Sequence, residues 1–201
     1  PTIPGMTQRI LIIDGHPDPA PGHLVHALAD AYGQGADEAG HAVTLVTVAE
    51  LDFPLLRRAE DFQDGTPPPD IRAAMDALEN ADHVVLFYPL WLGTLPALTK
   101  GFLEQLLRPG VAFTKDEGEG GFPKGRLKGK SARVVVTMGM PGWAYRWWFG
   151  AHSLKSLERN ILKFVGMTPV RSTVLGMADA PDARRHEAWL KEMRELGKAG
   201  R

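Results

Sequence analysis

Residues 83–89 read HVVLFYP, His83 through Tyr88 with Pro89 closing the run. Five consecutive apolar or aromatic residues follow His83 with no polar alternation. That pattern suits a strand buried on both faces, and Pro89 stops it. Working outward, four more short runs read as strands: Arg9–Asp14 (RILIID), the β-branched Val43–Val48 (VTLVTV), Ala132–Met138 (ARVVVTM) and Pro169–Leu175. Strands buried on both faces belong to parallel sheets, whose crossovers place helices above and below.

The intervening segments carry the helical period. Leu24, Val25, Leu28, Ala31 and Tyr32 recur at helix spacing up to Gly40. Asp70 is a candidate N-cap for a helix through Ala73, Ala74, Ala77 and Leu78. Leu98, Phe102, Leu103, Leu106 and Leu107 form a stripe, with Pro96 in its first turn and Pro109-Gly110 ending it. Leu154–Val165 reads as helix. A last helix opens at Asp179-Ala-Pro181-Asp182, with Pro181 near its first position and Trp189, Leu190, Met193 and Leu196 on one face. Residues 52–69 contain Pro54, Gly65 and Pro67-Pro68-Pro69 and read as loop, as does the aromatic stretch Gly139–Gly150. Residues 115–130 are glycine-rich and read as a loop, either a lid or plain surface. Right-handed crossovers leave few topologies for five such strands. No GxGxxG follows the first strand, which disfavours the dinucleotide order and favours the order 2-1-3-4-5.

The chain has 201 residues, one domain's worth, so residues 1–201 are expected to form a single domain. Lys+Arg is 23 and Asp+Glu is 24, a net charge of −1. No basic field exists to hold nucleic acid, and no acidic field to make a strongly anionic carrier. Cysteine is absent, which excludes disulfides, thiolate metal sites and a Cys nucleophile. No apolar run approaches the roughly 20 residues of a membrane span, and residues 1–7 lack signal-peptide character. A cytoplasmic location is the expectation.

Three loops carry the chemistry, each following a strand. Asp14 to His23 (DGHPDPAPGH) leads into a helix N-terminus, where free N–H groups favour phosphate and His16 and His23 could add donors. It also reads as a proline-stiffened turn, because Pro17, Pro19 and Pro21 bring no N–H. Tyr88 to Pro96 (YPLWLGTLP) puts Trp91 and Leu92 where a strand has just ended, with Gly93 allowing close backbone approach to a flat ring. Alternatively, Trp91 covers the edge of the core. Thr137 to His152 gathers Trp143, Tyr145, Trp147, Trp148 and Phe149 with Arg146 and His152. So many aromatics in a loop suggest a ligand wall or a protein interface. His26, His41, His83 and His186 show no metal-ligand spacing, and no metal site is expected. Strand three ends in Tyr88-Pro89 where a phospho-acceptor domain would place an aspartate, and no GxSxG elbow appears.

Three segments carry a resemblance: residues 9–19 (RILIIDGHPDP), 81–113 (ADHVVLFYPLWLGTLPALTKGFLEQLLRPGVAF) and 134–167 (VVVTMGMPGWAYRWWFGAHSLKSLERNILKFVGM). The chain resembles the flavodoxin-like NAD(P)H dehydrogenases (quinone), together with their bacterial relatives and the ancillary subunits of potassium-efflux systems. The resemblance implies a flavodoxin-like three-layer α/β sandwich on a five-stranded parallel sheet of order 2-1-3-4-5. It implies a bound flavin, FAD first and FMN as the alternative, NAD(P)H as co-substrate, a quinone acceptor and a homodimer with the active site at the subunit interface. By resemblance, His16, Pro21, Gly22 and His23 would hold the flavin phosphates. Pro89, Leu90, Trp91, Leu92 and Gly93 would flank the isoalloxazine. Thr137, Met138, Gly139 and Met140 would offer backbone contacts to the ring, and Tyr145 and His152 would be catalytic. Two departures stand out. The stretch Ala20-Pro21-Gly22 lacks the family's hydroxyl residue, and the Tyr145–His152 spacing differs by one residue from the best-known animal enzyme. The rival functions are an electron-shuttling flavodoxin, a regulatory subunit of a membrane transporter, and an azo or nitro reductase on the same fold.

Overall fold

The computed structural model describes residues 7–114 and 123–201. Five parallel strands form one sheet: β1 (Arg9–Asp14), β2 (Ala42–Thr47), β3 (His83–Pro89), β4 (Ser131–Met138) and β5 (Val170–Gly176), in the order β2-β1-β3-β4-β5. The expected topology is therefore the observed one. Seven helices accompany them among the described residues: α1 (Leu24–Glu38), α2 (Ala59–Gln63), α3 (Pro69–Asn80), α4 (Ala97–Leu106), α5 (Gly142–Trp147), α6 (His152–Ser156) and α7 (Ala183–Lys198). A 3-10 turn at Val48–Glu50 follows β2, and α6 continues into wider π-type coil over Leu157–Lys163.

β3 is buried over six of its seven residues, the signature of a strand covered on both sides. Its alternate side chains feed two cores. Val85 and Phe87 join Ile10, Ile12, Val135 and Leu175 beneath α1 and α7. Val84, Leu86 and Tyr88 join Leu11, Ile13, Val134 and Val136 beneath α3, α4 and the α6 coil. Helices α1 and α7 approach until backbone meets backbone. A Cβ added at Gly35 would lie 2.0 Å from the Arg194 carbonyl oxygen, and one at Gly197 would lie 2.0 Å from that of Tyr32.

Several local expectations are corrected. The N-cap of α3 is Pro68, not Asp70, because Pro69 at the first helical position needs no N–H partner. The Asp70 carboxylate instead accepts the Asp52 N–H at 2.8 Å, tying the preceding loop down. Asp182, not Pro181, is the boundary of α7, and its side chain accepts the Arg185 N–H. The segments 52–69 and 139–150, read as loop, hold the short helices α2 and α5. Of the 115–130 loop, residues 115–122 lie outside the described residues. Residues 123–130 form no helix or strand but are tied to the body, with Arg126 N–H donating to the Ala112 carbonyl at 2.9 Å and Leu127 N–H to that of Val165 at 2.9 Å. Among the described residues, no helix is long and apolar enough to cross a membrane.

Candidate active site

The carboxyl ends of β1, β3 and β4 lie side by side, because β3 pairs with both others. Their three loops therefore meet at one edge of the fold, where doubly wound sheets hold ligands.

The first loop is anchored at Gly15. Its N–H donates to the Phe87 carbonyl at 2.7 Å, and its carbonyl accepts the Thr99 hydroxyl at 2.5 Å. A Cβ there would lie 2.7 Å from Thr99 Cγ2 and 2.8 Å from the Phe87 oxygen, so only glycine fits. From this base the chain turns through Asp14, whose carboxylate accepts the His16 N–H at 3.0 Å. Asp14 and His16 are only 4% and 6% exposed. The His16 and His23 rings stack with centroids 3.9 Å apart, and His26 meets them edge-on at 5.1 Å and 5.6 Å. His23 Nε2 lies 3.0 Å from Asp18 Oδ2. Burial holds His16 below the usual imidazole range. His16 Nδ1 sits against the Asp18 backbone, 3.0 Å from its carbonyl oxygen and 3.2 Å from its nitrogen. Burial pulls His26 down as well, but its hydrogen bond to Asp14 and that carboxylate's charge outweigh burial and leave it above the usual range. The N-cap of α1 is His23, with no side-chain cap and no acidic residue in the first turn. The positive end of a 15-residue helix thus faces the same place as three imidazoles. Among the described residues, no three His, Cys, Asp or Glu side chains are placed to hold a metal ion.

Pro21 and Gly22 sit in the exposed part of this loop, Gly22 at φ 101. His16 and His23 are in the expected cluster, and His26 joins them. His26 lacks metal-ligand spacing in the sequence, so its place in the cluster is a finding of the fold. The available signal was its place three residues after His23 at a helix start, on the face turned toward Asp14.

The second loop runs from Pro89 and Leu90, both partly buried, to a tight turn. Leu90 N–H donates to the Thr137 carbonyl at 2.8 Å, which carries the β3–β4 pairing one residue further. Trp91 and Thr94 exchange N–H···O bonds of 2.9 and 3.0 Å, with Leu92 at φ 46 and Gly93 at φ 80 between them. Leu92 is fully exposed and Trp91 half-exposed. The Trp91 ring stands edge-on to His16, with centroids 6.2 Å apart. The first two loops therefore share a wall.

The third loop leaves β4 at Thr137 and Met138, both buried, and passes an exposed Gly139 and a half-buried Met140 that packs against the core. The carbonyls of Met138 and Met140 accept the N–H groups of Ala178 and Met177. Helix α5 follows, with Gly142 against β5: a Cβ on Gly176 would lie 2.2 Å from the Gly142 nitrogen. Of its aromatics, Trp143, Trp147, Trp148 and Phe149 are exposed, but Tyr145 is 2% exposed. The Tyr145 hydroxyl points into the fold, 2.8 Å from Ser153 Oγ, and accepts the Leu154 N–H at 3.3 Å. It thereby ties α5 to the start of α6. Gly150 (φ 63) and Ala151 (φ 47) are both left-handed, and their sharp turn leaves His152 exposed at the head of α6. A Cβ at Gly150 would lie 2.7 Å from His152 Nε2. The interior role of Tyr145 was not legible from an aromatic-rich loop, because the turn that buries it depends on packing.

A family model for the flavodoxin-like fold matches residues 8–196. A Haemophilus influenzae protein named an uncharacterized NAD(P)H oxidoreductase is 28% identical over 185 residues, covering 90% of each chain. An FMN-dependent NADH:quinone oxidoreductase of Nitratidesulfovibrio vulgaris is 29% identical over 204 residues, covering 89% of this chain and 93% of its own. In three dimensions the chain is similar to an NAD(P)H:quinone oxidoreductase from Methanothermobacter marburgensis, with a TM-score of 0.80 at 22% identity, covering 96% of this chain and 98% of that one. The chain therefore belongs to the flavodoxin-like fold family, and it stands among that family's quinone-reductase relatives.

Proposed function

We propose that this protein is a flavin-dependent NAD(P)H:quinone oxidoreductase that binds FMN. One observation carries the reading. A cluster of imidazoles at an uncapped helix N-terminus, suited to an anionic phosphate, lies beside an exposed Trp91-Leu92-Gly93 turn, suited to a flat ring. A phosphorylated flat heterocycle fits both halves, and the residues present suit it chemically. FMN replaces the first expectation of FAD because the matched relatives that name their flavin name FMN.

When bound, the flavin would supply the two-electron chemistry, accepting hydride from NAD(P)H and passing it to a quinone. The chain's own residues do the rest. His16 and His23, with the first amides of α1, hold the phosphate end, while Pro21 and Gly22 shape the loop around it. Pro89, Leu90, Trp91, Leu92 and Gly93 form one wall of the ring site. Thr137, Met138, Gly139 and Met140 border it, and because the Met138 and Met140 carbonyls are engaged by the turn after β5, this segment acts through its N–H groups. His152, exposed at the head of α6, is the proton donor to the acceptor. Tyr145 acts by holding α5 and α6 together through Ser153 and Leu154, which fixes where His152 sits. The exposed Trp143, Trp147, Trp148 and Phe149 support a second copy of the chain closing over the site as a homodimer. In this reading the protein works in the cytoplasm, where NAD(P)H is supplied.

The test is the absorption spectrum of the purified protein, followed by mass identification of the released cofactor. Flavin bands that bleach on anaerobic addition of NADH or NADPH, and recover on adding a quinone, are expected, with a mass equal to FMN. A protein that takes up no flavin sinks the proposal.

A further inference from the structure

His26 is held in an unusual way. Its Nδ1 contacts Asp14 Oδ2 and its Nε2 lies 3.0 Å from the Asp18 carbonyl oxygen. A carboxylate and a carbonyl are both acceptors, so both ring nitrogens must donate. Only the imidazolium satisfies the two together. Asp14 ends β1 and Asp18 lies in the loop beyond it. The ring on α1 therefore bridges the sheet to the loop that carries His16 and His23. The charged and titratable groups facing it are Asp14, then His16, Asp18 and His23 in the loop, and Asp30 one turn along α1.

We infer that His26 is a proton-operated clamp on the phosphate end of the site, an inference that rests on the flavin reading above. As the imidazolium it ties Asp14 to the Asp18 carbonyl and adds a positive charge to the loop that would hold the phosphate. Losing the proton leaves a lone pair facing an acceptor, breaks one tie and removes the charge. His26 is thus a positioning residue, in a loop whose Ala20-Pro21-Gly22 offers no hydroxyl. Its raised pKa sets the sign. The clamp is complete below the ordinary imidazole value of about 6.5 and is lost as pH rises through the higher folded value.

The experiment titrates the flavin-free protein with FMN, and separately with riboflavin, by quenching of flavin fluorescence between about pH 6 and pH 9. FMN Kd is expected to rise with pH by up to about tenfold per unit above the midpoint, the slope of a single linked proton. Riboflavin, which has no phosphate, is expected to show no such slope. The second ionisation of a phosphate near pH ~6 acts in the opposite sense, tightening FMN as pH rises. His26→Gln should abolish the slope. Asp14→Asn keeps an oxygen for the His16 N–H but should move the midpoint to lower pH. A ring-proton NMR titration of His26 in the unaltered protein should share the Kd midpoint, a readout that does not depend on either variant folding. An FMN Kd flat or falling with pH, an equal slope for riboflavin, or an unchanged slope in His26→Gln overturns the clamp and leaves the flavin reading standing. Binding of neither flavin at any pH overturns both.

Discussion

Leu92→Asn should stabilise the ligand-free protein while weakening its hold on flavin. Leu92 and Gly93 are the two central residues of a turn closed by the Trp91–Thr94 bonds, and both have positive φ. Such turns favour Asn-Gly, because asparagine tolerates the left-handed region and a branched side chain does not. Placing leucine there costs about 1–2 kcal/mol of backbone energy. No burial offsets that cost, since the Leu92 side chain is fully exposed. The substitution therefore forfeits no packing and relieves most of the strain. The net gain should be about 1 kcal/mol, or a Tm rise of roughly 2–4 °C for a chain of this size. A fully exposed leucine held in a strained turn points to a role in covering a ligand. The same variant should therefore bind FMN several-fold more weakly. Urea denaturation of the flavin-free protein measures the first effect, and a fluorescence titration the second. A variant that is less stable than the parent, or that binds FMN as tightly, would refute the reasoning.

Other outcomes follow from other parts of the molecule. His83 is fully buried, with Nδ1 2.7 Å from Ser131 Oγ, and burial lowers its pKa to about 4. The unfolded chain takes up the proton near pH ~6.5 and the folded one does not, so stability is full above that pH and declines toward pH 4 by on the order of 3 kcal/mol. His83→Gln should flatten this acid slope in denaturation curves taken from pH 4.5 to 7.5, and an unchanged slope would locate the acid sensitivity elsewhere. Gly197→Ala would drive a Cβ to within 2.0 Å of the Tyr32 carbonyl oxygen, so α1 and α7 must separate, lowering stability by about 1–3 kcal/mol or more in a thermal melt. Tyr145→Phe leaves Ser153 Oγ and the Leu154 N–H without their partner and should cost about 1–2 kcal/mol. His152→Gln, at an exposed position, should leave Tm within about a degree and slow quinone turnover on the order of 10²-fold. Equal effects of the two on both readouts would dissolve the division of roles drawn here.

The sheet was legible because its evidence is local. Each strand is a short β-branched run, each helix a stripe of period 3.6, and the missing GxGxxG selects between two doubly wound orders. The loops after β1, β3 and β4 were legible as sites because a parallel sheet sends the carboxyl ends of its strands to one edge. His16, His23, Trp91 and Leu92 lie at that edge as expected. The short helices α2 and α5 escaped because five or six residues carry too little periodicity against proline, glycine and clustered aromatics.

What the sequence by itself determined was thus the order of elements and which loops meet, since these follow from patterns a few residues long. Only the tertiary structure decided what individual side chains do. Tyr145 is turned inward, its hydroxyl held by Ser153 and Leu154 of α6. Asp70 caps a loop rather than its own helix. His26 is held above the usual imidazole range because β1 ends opposite the first turn of α1, bringing a carboxylate 12 residues away in the chain against its ring. Those roles depend on distances between elements, and such distances are set by how the sheet and helices pack.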